Sequence, residues 1–310
     1  MIAPVLNIDE TETLVNSHFG RAPVQLSHNL HTSDMFDDEA LAAVLDRYPR
    51  DKLGVFSMGT DEENWSSWRR GQAGDLDGRS LLDIVRKGRV WLNLRETNRY
   101  LPEYAELSDD MFGALEARFR GLRTFKRDVG LLISSPRTQV FYHLDVARVT
   151  LWHLRGEKRV WLYPVEPPFV DDETLEAIVL RQSAEQIDYK RAWDEHATVY
   201  DLKPGDMVHW PQNAPHRIVN GDSLNVSLSA EFLSPGALIR ANAIWANGFL
   251  RQRFGATPRL HSDFHPAMIG KFLLARLAKA AGVQANPPEP IPASFAIDPA
   301  MPDFLRPLQA

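Results

Sequence analysis

The chain has 310 residues, no cysteine and a formal net charge of −6, because 35 Lys and Arg stand against 41 Asp and Glu. Without cysteine there are no disulfides, iron–sulfur clusters, zinc fingers or thiol nucleophiles, so a metal must be bound by His, Asp or Glu. The negative charge offers no positive field to attract nucleic acid or an anionic membrane, and we expect neither as a partner.

Hydropathy favours a location in the cytoplasm. The first 20 residues contain no basic segment followed by a sustained apolar run, which a secretory signal needs. No apolar run approaches the roughly 20 residues that cross a bilayer. With 44% hydrophobic residues and eight tryptophans, the composition is that of a globular protein with a well-packed interior.

The first third of the chain is predicted to be mostly helical. Three segments have apolar residues at helical spacing, each between a capping residue and a stop residue. They run from Ser33 or Asp34 to Pro49, from Asp77 or Ser80 to Gly88, and from Ser108 to Gly121. The segment 89–96 has strand character and is expected to add an outer strand to a central sheet.

From about residue 129 the pattern changes to eight short apolar segments broken by turn residues. These segments are 130–135, 138–145, 148–154, 158–164, 197–202, 206–211, 216–220 and 225–232. Eight such strands fit a jelly roll, so the predicted fold is mainly β with flanking helices around a double-stranded β-helix core. Residues 171–182 interrupt the series and are predicted to form a helix, followed by a surface excursion.

The pattern returns to helices at 236–255 and 266–282, before a Pro-rich tail that we expect to be extended and either docked or partly mobile. The helices Ala237–Phe254 and Pro266–Ala281 suit a homodimer interface. Their packing on the barrel of the same chain is the alternative.

We expect one domain in three parts. Residues 1–128 form an N-terminal helical and strand elaboration, residues 129–235 the β-barrel core, and residues 236–310 a C-terminal helical extension.

His143, Asp145 and His216 are the candidate metal ligands. Side chains two residues apart in a β-strand project to the same face, so His143 and Asp145 can reach one ion, and His216 would complete the set from another strand. Two imidazoles and one carboxylate form a facial site with open coordination positions, which is typical of non-haem iron and oxygen chemistry. The alternative is that both histidines are hydrogen-bonded core residues and that Asp145 lies at a strand end.

The residues around His216 resemble the second motif of the cupin superfamily. The spacing matches throughout, at Gly205, Asp206, Pro211, His216 and Asn220. The chain departs from the motif at Asn213, where a glycine is usual.

The first cupin motif is only partly present. Counting from His143, it implies a second ligand at 145, a glutamate at 149 and a glycine at 156, and the chain has Asp145, Val149 and Gly156. Without the glutamate, a four-ligand cupin site becomes a site with two histidines and one carboxylate. Such a site leaves room for a chelating cosubstrate and dioxygen.

Residues 143–164 and 203–220 resemble the JmjC group of Fe(II)- and 2-oxoglutarate-dependent oxygenases, and most closely the asparaginyl hydroxylases of the factor-inhibiting-HIF type. The resemblance covers roughly residues 85–235 and extends to a helical C-terminal region. It implies Fe(II) bound by the three candidate ligands, 2-oxoglutarate as cosubstrate and dioxygen as oxidant.

Lys158 occupies the position at which this family binds the distal carboxylate of 2-oxoglutarate. The strand pattern supports that role independently, because Lys158, Val160 and Leu162 share one face. An ammonium on an apolar face costs several kcal/mol unless an anion meets it, and a bound dicarboxylate would supply the anion. The alternative is a lysine that extends its charge to solvent beside the turn at Gly156.

Five further residues are candidates for ligand contacts. Ser227 and Ser229 would bind 2-oxoglutarate if the polar face of their strand points inward, although the family usually has Asn at position 229; a solvated face is the alternative. Asn93 is a candidate substrate contact from the resemblance of its strand to one in such hydroxylases. Arg148 is a candidate for an acidic substrate or cosubstrate. His153, which strand parity turns inward, is a structural or substrate-contacting residue.

Two further aromatic residues are not expected to bind ligands. Trp91 stands where the family has a tyrosine for 2-oxoglutarate, and we expect it to pack in the core. His209 lies close to the second motif, and we do not expect it to bind the metal.

Together these features favour an Fe(II)- and 2-oxoglutarate-dependent hydroxylase that acts on a C–H bond of a protein, a peptide or a small molecule. One alternative is a metal cupin that works without 2-oxoglutarate, as a dioxygenase or an isomerase, and Lys158 argues against it. The other is a non-catalytic cupin sensor that holds a ligand, and the complete triad argues against it. Histone demethylation is not expected, because no reader domain or zinc module is present.

Overall fold

A computed structural model describes residues 6–7, 17–261, 265–283 and 291–308. Its strands are β1 Leu6–Asn7, β2 Val24–His28, β3 Gly54–Ser57, β4 Arg69–Gln72, β5 Trp91–Leu94, β6 Phe125–Ser134, β7 Gln139–His143, β8 Arg148–Arg155, β9 Lys158–Leu162, β10 Thr198–Leu202, β11 Asp206–His209, β12 His216–Asn220, β13 Asn225–Leu233, β14 Ala293–Ile297 and β15 Leu305–Pro307. Its α-helices are α1 Asp38–Arg47, α2 Gly78–Lys87, α3 Thr97–Tyr100, α4 Pro102–Arg118, α5 Asp172–Val179, α6 Pro235–Phe254 and α7 Pro266–Ala280.

The strands form two sheets that face each other. The large sheet has the order β1-β2-β11-β8-β13-β6-β5-β3-β4-β14-β15, and the small sheet has the order β10-β9-β12-β7. Val149 and Leu151 of the large sheet pack against Val160, Leu162 and Ile218 of the small sheet. We call this buried group the inner cluster. The strands that enclose this interior pair antiparallel within each sheet and form the predicted double-stranded β-helix, and all eight predicted core strands are present.

The outer face of the large sheet is covered by helices. Ile133 and Phe232 of the sheet share one buried cluster with Leu45 of α1, Val85 of α2 and Phe112 of α4. One face of the large sheet is therefore free to line the barrel while the other forms the main hydrophobic core.

The predicted helix starts are correct for α2 and wrong for α1 and α4. Asp77 caps α2 as expected, because its side chain accepts a hydrogen bond from the Ser80 backbone N–H. Asp37, rather than Ser33 or Asp34, caps α1; Ser33 instead begins a separate 3₁₀ turn.

Helix α4 begins at Pro102 instead of near Ser108. Ser108 is buried inside the helix, and proline stands in its first turn, where its missing N–H costs nothing. A serine in a helical pattern therefore gave a false start signal.

The described part of the Pro-rich tail is extended and docked. β14 pairs in parallel with β4 and antiparallel with β15, at the edge of the large sheet. Residues 284–290 of the tail lie outside the described residues. The helix predicted within 171–182 is α5, and the two predicted C-terminal helices are α6 and α7. The division at residues 128 and 235 stays a prediction.

In the part of the chain that the structure describes, no helix has the length and apolar character needed to cross a membrane.

Candidate metal centre and the barrel interior

His143 and His216 lie opposite each other on neighbouring strands of the small sheet. They are in register across β7 and β12, and their ring centroids are 4.1 Å apart. Asp145 lies two residues beyond the end of β7, with carboxylate oxygens 3.9 Å from His143 Nε2 and 3.5 Å from His216 Nε2. One potential ligand atom from each residue lies within 4.8 Å of the others. The three side chains thus form a group that can hold one metal ion.

An irregularity in β7 directs His143 toward the barrel interior. Between Val140 and His143, β7 has one residue more than the facing segment of β12. Val140 packs on the inner cluster, so regular alternation counted from Val140 would turn Tyr142 inward and His143 outward. Tyr142 instead packs on an outer aromatic cluster. The extra residue restores its inward direction, which is a common use of β-bulges next to functional sites.

Hydrogen bonds leave the Nε2 atom of both histidines available. His143 Nδ1 lies 2.8 Å from the Phe141 carbonyl oxygen, and His216 Nδ1 lies 3.0 Å from that of Ala214. A carbonyl only accepts, so Nδ1–H donates and Nε2 keeps its lone pair. Burial lowers the pKa of His216 to about 4, so its ring is neutral near pH 7, as a metal ligand must be.

Asn213 holds the backbone of Asp145. Its Nδ2 donates to the Asp145 carbonyl at 2.9 Å, and its Oδ1 accepts from Arg240 Nε at 3.2 Å. The φ angle of Asn213 is 68°, in the left-handed region that asparagine tolerates better than most residues with a side chain. Asn213 therefore has a backbone conformation that glycine would also adopt, and its side chain makes two hydrogen bonds that glycine could not make.

Lys158 is buried, with 6% of its surface exposed, on the inner face of β9. It is in register with Asn220, four residues along β12 from His216, which corresponds to about 13 Å along the strands. Burial lowers the pKa of Lys158 to about 7, and no charged group of the described residues offsets that cost. The alternative of a solvent-exposed ammonium does not hold in this structure.

His153 and Ser227 lie together in the interior near Lys158. His153 Nε2 is 2.9 Å from the Gly156 carbonyl oxygen and Nδ1 is 3.0 Å from Ser227 Oγ, so the Ser227 hydroxyl donates to Nδ1. Burial, followed by the positive charge of Lys158, lowers the pKa of His153 to about 3. Both ring nitrogens are occupied within the barrel, and a contact between His153 and substrate stays a prediction.

The polar face of β13 points into the barrel. Ser227 is in register with His153, and Ser229 is in register with Leu151 of the inner cluster. Ser229 is half-buried there. The inward orientation that a 2-oxoglutarate contact requires is therefore present, and the contact itself stays a prediction.

Charged residues close to the triad are missing from the sequence candidates. Arg95 Nη2 lies 3.3 Å from Glu231 and 3.6 Å from Asp128. Burial raises the pKa of Glu231 to about 8; Arg95 opposes this rise, and the negative charge of Asp145 adds to it. The pKa of Glu185 is also raised, first by burial and then by the negative charge of Asp145.

The sequence offered a signal for only one of these residues, because Glu231 shares the inward face of β13 with Ser227 and Ser229. Arg95 follows β5 and Glu185 lies between β9 and β10, so strand alternation could not indicate their direction.

Asn93 has a free acceptor on the inner side of β5. It is half-buried, and its Oδ1 is buried without a hydrogen-bond partner in the described residues. Trp91, two residues away, packs with Phe56 and Trp68 at ring centroid distances of 5.3 and 5.2 Å. This packing agrees with a core role for Trp91, while a substrate contact at Asn93 stays a prediction.

Arg148 and His209 are not among the three candidate ligands. His209 is fully buried, with Nδ1 2.6 Å from the Val149 carbonyl oxygen and its ring stacked on Phe19 at 4.0 Å. Arg148 lines a cleft of about 610 Å³ in which no triad residue is among the described lining residues. Its contact with substrate stays a prediction.

No protein-family model matches the chain, and no curated protein matches it. Among solved structures, Escherichia coli YcfD matches with a TM-score of 0.51 and 16% identity, over 96% of this chain and 77% of YcfD. A structure described as the Escherichia coli ribosomal oxygenase YcfD matches with a TM-score of 0.50 and 18% identity, over 95% and 75%. The chain has the fold of YcfD. A YcfD complex with cobalt and 2-oxoglutarate matches with a TM-score of 0.48 and 16% identity, over 91% and 72%.

The likeness to YcfD agrees with the fold class predicted from the strands. At this identity it establishes the fold, and the chemistry has to be argued from the residues of this chain. Those residues are the triad, the buried Lys158 and the polar inner faces of β5 and β13.

We predict that the chain binds one Mn(II) or Co(II) ion and that alanine at His143, Asp145 or His216 weakens binding by more than about a hundredfold. Loss of a ligand removes a direct bond, whereas loss of a supporting residue costs about 10–100-fold. Titration calorimetry and the visible spectrum of the Co(II) form measure both effects. Asp201→Ala, at an exposed carboxylate paired with Arg159, is the control and should bind as the wild type does. Equal affinity in the triad variants would contradict the site.

Proposed function

We propose that the chain is an Fe(II)- and 2-oxoglutarate-dependent oxygenase that hydroxylates a C–H bond. The observation that carries the proposal is the pairing of two features inside one barrel. Three ligand atoms converge at one end, and a buried lysine with no anionic partner among the described residues lies about 13 Å further along the small sheet. A lysine side chain and a five-carbon diacid together span that separation.

The residues present fit both groups. His143 and His216 offer their Nε2 atoms and Asp145 a carboxylate, which is the donor set preferred by non-haem Fe(II). The buried ammonium of Lys158 requires an anion, and the distal carboxylate of 2-oxoglutarate supplies one. We propose that Ser229, in register with Leu151 of the inner cluster, donates a further hydrogen bond from β13.

When bound, Fe(II) supplies the redox chemistry by which dioxygen, 2-oxoglutarate and a C–H bond become succinate, carbon dioxide and a C–OH group. The chain positions the reactants and excludes water. The Nδ1 hydrogen bonds orient both imidazoles, Lys158 fixes the far end of the diacid, and the inner cluster keeps the chamber apolar.

We propose a protein or peptide substrate, because the chain shares its fold with a ribosomal oxygenase. Asn93, with its unpartnered Oδ1 on the inner side of β5, is the proposed amide contact. A small-molecule substrate is the alternative, and a cytoplasmic location stays a prediction.

We also propose a homodimer formed through the C-terminal helices. Leu273 and Leu277 of α7 are 53% and 70% exposed, and Phe254 at the end of α6 is 69% exposed. Exposed large apolar side chains grouped on one pair of packed helices are typical of an interface between copies.

The dimer predicts that Leu273→Asp with Leu277→Asp converts the wild-type dimer to a monomer in light-scattering measurements. Introduced carboxylates would have to be desolvated in the interface. Val199→Asp, at an exposed valine of β10, should stay dimeric. A monomeric wild type would contradict the proposal.

The oxygenase proposal predicts that the purified chain with Fe(II), ascorbate and 2-oxoglutarate forms succinate. Lys158→Met should weaken 2-oxoglutarate binding by about tenfold or more while leaving metal binding intact, because a charge-assisted contact is lost. Lys203→Met, at an exposed lysine, should behave as the wild type. Mass spectrometry of succinate and calorimetry with Mn(II) measure these effects.

The outcomes separate the alternatives. Metal binding without any binding of 2-oxoglutarate would contradict the proposal and favour either a cupin that works without 2-oxoglutarate or a ligand-binding sensor. Unchanged 2-oxoglutarate affinity in Lys158→Met would contradict the role of Lys158 alone.

The pKa of about 7 for Lys158 predicts that 2-oxoglutarate affinity depends on pH. The free protein carries a protonated Lys158 below pH 7 and a neutral one above it, whereas the bound carboxylate requires the protonated form. Affinity at saturating Mn(II) should therefore be constant below pH 7 and fall roughly tenfold for each pH unit well above it. Lys158→Arg, which stays charged, should remove this slope. A wild-type affinity that is constant from pH 6.5 to 9 would contradict the assignment.

A further inference from the structure

A cleft of about 610 Å³ is lined by two arginines, Arg148 and Arg240, that meet no carboxylate among the described residues. It is bordered by the starts of β8 and α6, the end of β9, the turn before β12 and residues 20–23. Arg21, Arg148 and Arg240 face a single lining carboxylate, that of Asp172, so the described lining carries a net positive charge when His196 is left aside. We call this the arginine cleft.

The other partly buried arginines of the chain show what is unusual here. Arg155 pairs with Asp38 at 2.8 Å, Arg251 pairs with Glu176 at 2.8 Å, and Arg217 pairs with Asp194. Arg89 has no carboxylate but donates to two backbone carbonyls. These four guanidinium groups are thus paired with carboxylates or hydrogen-bonded to carbonyls, which offsets a desolvation cost of several kcal/mol.

Arg148 and Arg240 lack such pairs in the described residues. The Nε of Arg148 is buried without a hydrogen-bond partner, and burial alone lowers the Arg148 pKa. Arg240 donates to Asn213 and to the His261 carbonyl, and within about 4 Å it meets no carboxylate of the described chain. Burial lowers the Arg240 pKa; Asp172 opposes this, and the positive charge of Arg148 adds to it, so the two guanidinium groups also repel each other.

The rest of the lining fits the body of an organic ligand. Gly236, in the first turn of α6, brings the positive end of a 20-residue helix to the cleft. Apolar side chains cover the remaining wall: Leu162, Val165, Ile239, Leu260 and Met268. The volume lies within the range of small-molecule sites.

We propose that the arginine cleft binds a small organic anion, with its carboxylate or phosphate group between Arg148 and Arg240 and its apolar body on the remaining wall. An anion there would relieve the repulsion between the two arginines and supply acceptors that the described residues do not provide. No triad residue is among the described lining residues, and the proposed anion site does not depend on the proposed oxygenase activity.

Calorimetric titration of the metal-free full chain tests the proposal with phenyl phosphate and 3-phenylpropanoate. The two probes distinguish a phosphate site from a carboxylate site, and 3-phenylpropanol is the neutral control. At least one anion should bind, and the alcohol should bind at least tenfold more weakly. Arg148→Met and Arg240→Met should each reduce anion affinity at least tenfold, and Arg120→Met, at an exposed arginine outside the cleft, should not.

Two measurements guard against misfolded variants. Thermal unfolding should show that each variant remains folded, and Arg240→Lys, which keeps the charge but not the planar fork, should bind with intermediate affinity. The proposal is overturned if the wild type binds neither anion, if the alcohol binds equally well, or if folded Arg148→Met and Arg240→Met bind as the wild type does. Because no metal or 2-oxoglutarate is added, failure here leaves the proposed oxygenase untouched.

Discussion

The pairing of β7 with β12 is the constraint on which the metal centre depends. It places His143 opposite His216, and the rest of the small sheet then sets the distance to Lys158, since β9 pairs with the other side of β12. Backbone hydrogen bonds fix these positions before any metal is present. Sheet register therefore fixes the geometry of the site, and the folding free energy of the barrel offsets the entropy lost when the two histidines are brought together.

The strands and the candidate ligands were predictable because both rest on local patterns. Alternation along β9 correctly placed Lys158 on the inner face, and the apolar pattern correctly predicted the strand that begins at His216. Strand alternation was less reliable for the inward direction of His143. Asp145 lies beyond the end of β7 instead of within it, and His143 faces inward because of an extra residue that alternation does not reveal.

What the sequence did not reveal comes from segments far apart in the chain. The contact of Arg95 with Asp128 and Glu231 joins three strand regions of the large sheet, so no local spacing could indicate it. The start of α4 is similar in kind, because tertiary burial of Ser108 overrides the preference of serine for helix caps. Long-range burial decides both, and local sequence patterns carry little information about it.

In the part of the chain that the structure describes, Lys158 and the two neighbouring arginines Arg148 and Arg240 are buried or partly buried cations without a carboxylate partner. The two places differ in whether other contacts explain the charged side chain. Lys158 shares the inner face of β9 with Val160 and Leu162, where apolar side chains pack and an ammonium gains nothing from packing. Arg240, in contrast, has one contact that bears on the metal centre, its bond to Asn213. With the motif glycine at 213, both the Asp145 carbonyl and Arg240 Nε would lose that partner, at about 1–3 kcal/mol for each buried group. The asparagine and the arginine are therefore one local arrangement, in which the turn before β12 connects the Asp145 loop to helix α6.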